Sequence, residues 1–359
     1  MQSECTKVQF TGQDVYVGID VAKKSWKVCI YLGEAYHKRC AQPPEPEALV
    51  DYLHRNFPGA TYHTVYEAGY FGYWIHQELI RLGVESIVIN PADVPTTDKE
   101  RQTKTDNVDA GKLARALANG ELTPIYVPER ASQEDRTLIR MRMGFVRKQT
   151  RVKNQIKAIL QFYGFRVPAD IPDLHWSRTY IQWLESLTFD QDTGRAAFQA
   201  LVTELIALRA TIADLTKQIR HLAQQERYRA RVELLLSVPG IGLLAAMTFL
   251  CEVITIERFK NLDRLLSFVG LVPGEHSTGD TEQNTGLNYR RNPVLRVMLI
   301  ECAWVAQRED PALLSAFTAY STRMPKSMAI VPIARKLVSR IRFVLKNNQP
   351  YETGVLSCG

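Results

Sequence analysis

The sequence predicts an α/β domain followed by a mainly α-helical remainder. Three observations carry this expectation. From about residue 14 to 128, short apolar runs of β character alternate with helical stretches; from about 131 to 229, apolar residues recur at heptad spacing; beyond 231, a glycine-tight turn joins apolar helices. The 359 residues suffice for three domains with their own cores, expected at 1–130, 131–230 and 231–359.

Val15 to Asp20, in YVGID, alternates apolar and other positions and reads as a first strand. Trp26 to Leu32 and a run around His37 to Ala41 read as the second and third. There follow a helix from Glu45 to Phe57, a strand from Thr61 to Tyr66, a helix around Tyr73 to Leu82, a strand from Ser86 to Ile89 and a helix opening at Asp106. Three early strands followed by alternating helices and strands is the element order of an RNase H-like domain. Four carboxylates fall at its chemically useful positions. Asp20 ends the first strand, Glu67 ends the Thr61 run, and Asp106 and Asp109 lie one turn apart on one helix face. Carboxylates converging from two strand ends and a helix make an all-oxygen site suited to Mg²⁺ or Mn²⁺, the metals of phosphoryl transfer. Taken singly, each acid also has a structural use, such as a helix cap for Asp106 or an ion pair for Glu67.

The second region predicts two long helices. Leu138, Phe145, Val152 and Ile159 recur every seven residues in the first. Leu201, Leu205, Leu208, Ile212, Leu215, Ile219 and Leu222 follow a four-and-three spacing in the second, the seam of a coiled coil that closes within one chain or between chains. Gly164 to Asp190, with its prolines and tryptophans, is the expected turn-over. The first helix also carries Arg136, Arg140, Arg142, Arg147, Lys148, Arg151, Lys153 and Lys157 with no acid between them. Such a run is either a solvated helix face or a surface laid along phosphates, and the absence of acids favours phosphates.

The third region opens with SVPGIG. Val238, Pro239, Gly240, Ile241 and Gly242 have the form of a helix-hairpin-helix turn, whose glycines Gly240 and Gly242 let backbone N–H groups approach a phosphate; the competing reading is a tight turn between core helices. Downstream, SFVGLVPGEHSTGD reads as a polar, glycine-rich loop containing Ser277 and Thr278. Arg290 and Arg291 follow, then Arg296 on an apolar helix. Lys326 to Lys346 reads as a basic amphipathic helix carrying Arg335, Lys336, Arg340, Arg342 and Lys346.

Composition agrees with a polyanionic partner: the net charge is +7 and the pI is near 9.0. Six cysteines, at 5, 29, 40, 251, 302 and 358, form no CxxC or Cys/His cluster, which argues against a zinc site or a disulfide framework. The N-terminus lacks the charged region and apolar core of a secretory signal, and no uninterrupted apolar run of about 18 residues is present. The expected compartment is a reducing cytoplasm.

Several motifs in the same order, YVGIDVAKKSWKV, YEAGYFG, INPADV with TKTDNVDAGKLA, SVPGIG and FVGLVPGEHSTG, together resemble the DEDD-type insertion-sequence transposases, now described as bridge-RNA-guided recombinases. The resemblance runs from about residue 14 to about 345. It implies a RuvC-like N-terminal domain, a coiled-coil segment and a C-terminal transposase domain with a helix-hairpin-helix. Its four acids correspond to Asp20, Glu67, Asp106 and Asp109, holding Mg²⁺ or Mn²⁺. The family's nucleophile is a serine that becomes covalently linked to DNA. Ungapped alignment puts Thr278 at its position; Ser277, one residue earlier, offers the less hindered primary hydroxyl and is the preferred candidate, with Thr278 as the alternative. The family's lysine-x-glycine-asparagine run is replaced here by Arg290, Arg291, Asn292 and Pro293, keeping the asparagine and Leu295-Arg296.

The resemblance implies DNA, both donor and target, as substrate and a structured noncoding guide RNA as partner. A homo-oligomer, dimer or tetramer, is expected; if the coiled coil crosses between chains, one subunit's serine meets another's acids. Arg140, Arg147, Lys148, Arg151, Lys153, Lys157, Gly240, Gly242, Arg290, Arg291 and Arg296 are the candidate nucleic-acid contacts. Two other classes of function compete: a metal-dependent nuclease or junction resolvase that cleaves with water, and a non-catalytic nucleic-acid-binding scaffold.

Overall fold

The computed structural model describes residues 9–94, 106–171, 176–278, 281–287 and 291–353; for 106–108, 273–278 and 281–287 it describes the backbone alone. The chain divides into two compact units, residues 1–127 and 128–359.

In the first unit, β1 (Asp14–Asp20), β2 (Trp26–Leu32), β3 (Ala35–Gln42), β4 (Thr61–Glu67) and β5 (Glu85–Ile89) form one sheet in the order β3-β2-β1-β4-β5. β1 and β3 each run antiparallel to β2, and β4 runs parallel to both β1 and β5. This mixed sheet agrees with an RNase H-like domain. Val15, Val17, Ile19, Val28 and Ile30 fill one face, where they meet Leu49 and Leu53 of α1 (Pro46–Asn56) and Ile75 and Leu79 of α2 (Trp74–Arg81). The spacing of four within each helix turns those residues to one side. On the opposite face lies α3 (Asp106–Ala118), whose Ala110 and Ala114 pack with Cys29 and whose Leu113 packs with Val65 and Ile89.

The second unit begins with α4 (Arg130–Phe162) and includes α6 (Asp192–Ala223), with α5 (Arg178–Ser186) in the connection between them. The expected turn-over therefore holds a helix of its own, capped by the Ser177 hydroxyl accepting from the Tyr180 N–H. Val152, Ile156 and Leu160 late in α4 cluster with Phe198, Val202 and Leu205 early in α6, while Ile139 early in α4 clusters with Ile219 and Leu222 late in α6. The two long helices are thus antiparallel partners within one chain. Along the heptad seam of α6, Leu205, Leu208, Ile219 and Leu222 are buried, and Ile212 and Leu215 between them only half so. By length and composition alone α6 could cross a membrane, but its apolar side is turned to α4 and α5.

The base of this helix pair joins the core built by α7 (Glu226–Leu236), α8 (Leu243–Val253), α9 (Leu262–Val269), α10 (Pro293–Glu309), α11 (Pro311–Ser321) and α12 (Lys326–Asn347). Between α9 and α10 the chain forms β6 (Pro273–Thr278) and β7 (Thr281–Leu287), an antiparallel pair where the sequence predicts a loop. Neither strand carries the apolar alternation that would announce it. The apolar stripe expected on α12 is present: Ile330, Ile333, Ala334, Leu337, Ile341 and Val344 are buried. Its Arg340 is engaged within the unit: Nη2 lies 3.3 Å from the buried Asp310 carboxylate and Nε donates to the Tyr351 hydroxyl. Past Asn348, whose left-handed φ of 52° ends α12, the chain turns back. There the Tyr351 N–H donates to Ser237 Oγ at 2.7 Å and its hydroxyl to Asp310 Oδ2 at 2.8 Å.

The position of α3 rests on Gly18. A Cβ at residue 18 would lie 2.2 Å from the Ala110 carbonyl oxygen and 2.5 Å from the Ala114 nitrogen, so backbone meets backbone. Gly18→Ala is expected to destabilise the first unit by about 1–3 kcal/mol through overpacking. Denaturant unfolding followed by circular dichroism checks this, and a variant as stable as the parent would refute the tight crossing.

Candidate functional site

Because Val15, Val17 and Ile19 enter the core under α1 and α2, strand alternation turns Gly18 and Asp20 to the face that α3 covers. The parallel register pairs Gly18 with Val65 and Ile19 with Tyr66, so Asp20 and Glu67 emerge at neighbouring strand ends. Val65, two residues before Glu67, packs on Leu113 of α3, which assigns Glu67 to the same face. The crossing at Gly18 brings Ala110 onto β1, and with it the adjacent Asp109. Asp109 is half-buried, and the nearly buried Lys112 places Nζ 3.6 Å from its Oδ1. Every donor in this group is a carboxylate oxygen, a set suited to Mg²⁺ or Mn²⁺ rather than to softer metals. Among the described residues no three acids, histidines or cysteines are gathered to hold a metal. The side chain of Asp106, the first residue of α3, lies outside the described residues.

Two cations on this face were not among the sequence candidates. Lys27 is paired with Asp20 in the antiparallel register, and Arg39 with Cys29. The Arg39 guanidinium lies over α3 at Gly111, where a Cβ would come within 2.5 Å of its Nη2. Lys27 and Arg39 line one cavity with Ala110 of α3. Their signal is in the strand pattern, since residues alternating with the buried Val28 and Ile30 must face α3.

In the second unit the basic run on α4 splits into two halves. Its first half is engaged by acceptors of the same unit. Arg140 donates from Nε and Nη2 to Glu252 of α8 at 2.7 and 2.8 Å, a bidentate pair. Arg136 donates to the Cys251 carbonyl at 3.1 Å and lies 3.9 Å from Glu252, while Arg142 donates to Thr216 Oγ1 at 2.7 Å. Both of these Arg140 donors face a carboxylate that is only 1% exposed, while the Arg140 side chain is itself 51% exposed. Burial pushes the Glu252 carboxyl up, but hydrogen bonds from Arg140 and Asn292 and the charges of Arg140 and Arg136 outweigh it and hold the group below its ordinary 4.5. The second half turns outward: Arg147, Lys148, Arg151 and Lys157 are exposed. Lys153 is half-buried over the Trp176 ring, 5.3 Å from its centroid.

The glycine turn between α7 and α8 is also a packing device. Gly240 has φ +78°, and a Cβ there would lie 2.5 Å from the Cys302 carbonyl oxygen and 2.7 Å from the Ala306 nitrogen of α10. Its N–H, a candidate for phosphate binding, donates to Glu309 Oε2 at 2.9 Å. Gly242 caps α8 and has open space where a side chain would be.

Ser277 and Thr278 are the last two residues of β6, paired in register with Glu282 and Thr281; their side chains, and all of Arg290, lie outside the described residues. Arg291 is exposed, and Arg296 on α10 has its pKa lowered by partial burial and by the neighbouring Arg291.

Comparison with known proteins gives two family matches. Residues 17–165 match a transposase model of the DEDD, IS110 type, and residues 232–318 match the transposase IS116/IS110/IS902 family. A putative transposase y4qE of Sinorhizobium fredii is 31% identical over 302 residues, covering 81% of this chain and 72% of the relative. The transposase for insertion sequence element IS1111A of Coxiella burnetii is 25% identical over 346 residues, covering 94% and 91%. That for IS1533 of Leptospira borgpetersenii is 25% identical over 350 residues, covering 94% and 97%.

Two outcomes are expected from this geometry. Gly240→Ala, with left-handed backbone and backbone atoms in the way, should destabilise the second unit by about 2 kcal/mol or more, whereas Gly242→Ala should change it by under about 1 kcal/mol; equal effects in chemical denaturation would contradict the packing role. Because the folded Glu252 carboxyl titrates below its unfolded value, its contribution is present above about 4.5 and lost as pH falls through the folded value. Stability should therefore drop more steeply below about pH 4.5 in the parent than in Glu252→Gln. Parallel pH profiles would show that Glu252 is not held ionised.

Proposed function

This chain belongs to the IS116/IS110/IS902 family of DEDD-type insertion-sequence transposases, and from that premise we propose that it cuts and rejoins DNA through a serine-linked intermediate. The observation that supports the proposal is the crossing of α3 over β1 at Gly18, which sets Asp109, next to Ala110, on the sheet face where Asp20 and Glu67 emerge. Asp20, Glu67, Asp106 and Asp109 would hold Mg²⁺ or Mn²⁺, whose chemistry here is Lewis-acid stabilisation of charge on phosphate oxygens. The Ser277 hydroxyl, with Thr278 as alternative, attacks phosphorus in line. The new bond is the serine ester, the bond broken is that to the leaving 3′ oxygen, and the hydroxyl proton ends on that oxygen. A 3′ hydroxyl from the exchanged strand then attacks the ester and releases the serine, so bond energy is conserved and no high-energy cofactor is consumed.

The other parts of the reading follow the family resemblance and the surface. Exposed Arg147, Lys148, Arg151 and Lys157, with Arg290, Arg291 and Arg296, supply phosphate contacts, and the net charge of +7 suits DNA and a structured guide RNA together. Residues 1–130 act as the RuvC-like domain, 131–230 as a coiled-coil arm and 231–359 as the transposase domain with its helix-hairpin-helix turn. The acids and the hydroxyl belong to different compact units. A site shared between subunits of a homo-oligomer in the cytoplasm is the arrangement we favour, because an isolated protomer then cannot cut.

The test is a denaturing gel of full-length protein after reaction with labelled DNA and Mg²⁺. The parent should form a covalent adduct, Ser277→Ala with Thr278→Ala should form none, and Asp20→Ala should slow its formation by about 10³-fold. Undiminished cutting by the hydroxyl-free variant would overturn the serine mechanism in favour of a nuclease cleaving with water.

A further inference from the structure

The β6–β7 hairpin enters and leaves its unit through a narrow neck. On the entering side α9 ends at Gly270, with φ +82°, where a Cβ would lie 2.3 Å from Arg291 Cβ on the leaving side. One residue later the Asn292 N–H donates to the Phe268 carbonyl at 3.0 Å, tying the two sides together. The Asn292 side chain is used at both ends. Its Oδ1 accepts from the Val294 and Leu295 N–H groups at 3.1 Å and caps α10, while its Nδ2 donates to Glu252 Oε2 at 2.7 Å.

That choice of residue is informative. Aspartate would cap the helix as well but has no donor for a carboxylate; the amide accepts from the helix N–H groups through Oδ1 and donates to the carboxylate through a separate atom, Nδ2. Glu252, buried on α8, therefore joins three elements: α4 through Arg136 and Arg140, its own helix, and the neck through Asn292. A buried ionic group of this kind is weak evidence for stability, because apolar side chains of similar volume commonly serve as well. What it supplies better is a fixed geometry.

We propose that Glu252 is a positioning residue that, through Asn292, holds the neck of the β6–β7 hairpin in one orientation relative to α4 and so fixes where the hairpin presents its hydroxyl. The link to catalysis rests on the serine reading above; the link to hairpin geometry does not. Neither residue touches DNA in this role.

The test uses full-length protein and a swap of chemistry. Asn292→Asp keeps the helix cap but sets two carboxylates against one another. Glu252→Gln alone still accepts from Asn292 through its amide oxygen and serves as the reference for the double variant. In the double variant the introduced amide donates to the introduced carboxylate and the like charges are gone, while the cap persists and Arg140 keeps its Nε bond but loses the oxygen that its Nη2 shares with Asn292. Hydrogen exchange of peptides spanning residues 268–292 reads the neck directly. Asn292→Asp should speed exchange there by about 10-fold or more, and the double variant should return it to within about threefold of Glu252→Gln. Single-turnover adduct formation should fall about 10–100-fold in Asn292→Asp and recover in the double variant to the level of Glu252→Gln, with DNA affinity within about twofold throughout. Unchanged neck exchange in Asn292→Asp, or no recovery in the double variant, would overturn the proposal. If exchange follows the expected pattern while the parent forms no adduct, the positioning role stands and the serine reading falls.

Discussion

At residue 18 the backbone of β1 and the backbone of α3 touch with no side chain between them. Helices normally ride on a sheet with a layer of side chains as spacer, near 10 Å away. Removing that layer at one point draws the helix in, and small Ala110 and Ala114 on either side of the contact allow it to stay there. Asp20 and Glu67 emerge at adjacent strand ends, and the crossing holds α3, with Asp109 beside Ala110, on the same face of the sheet. The neighbouring Gly111 repeats the device, the absence of a side chain making room for the Arg39 guanidinium.

The second unit depends on buried charge in the same way that the first depends on absent side chains. Two carboxylates, Glu252 and Asp135, sit at the base of the long helix pair. Asp135 on α4 accepts from Arg227 at 2.9 Å and from the Tyr228 hydroxyl at 2.7 Å, while Glu252 on α8 accepts from Arg140. One acid lies on each side of the joint, so the arm is fastened in both directions. Burial raises the pKa values of Tyr228 and Cys251, the thiol to about 12, so the polar groups here stay in the protonation states that their hydrogen bonds require.

Much of the first unit was legible because its information is local. Alternation gave the strands, spacing of four gave the helices, and strand ends gave Asp20 and Glu67. Lys27 and Arg39 were overlooked because a cation on a strand attracts notice only once its face is known. The basic run on α4 has no acid within it, which in sequence favours phosphates. Its partner Glu252 lies 112 residues from Arg140 in sequence. Likewise the acceptor for the Gly240 N–H is Glu309, 69 residues on. A tight glycine turn looks the same in sequence whether its amide meets a phosphate or a carboxylate of its own chain. The strands β6 and β7 were hidden for a different reason: PGEHST and TEQNTGL have no apolar face, so their pairing rests on backbone hydrogen bonds that composition does not reveal.

The returning tail after α12 completes the unit. Tyr351 reaches Ser237, at the end of α7, and Asp310, whose other oxygen caps α11, while Arg340 of α12 holds its hydroxyl from a third side. Mechanically this makes the tail a guy-line rather than a loose end. Tension applied beyond residue 351 would be shared among Ser237, Asp310 and the side of α12 at Arg340 before any of it peeled α12 from the core. A handle attached at that end would report the strength of the whole helical assembly and not of its last helix.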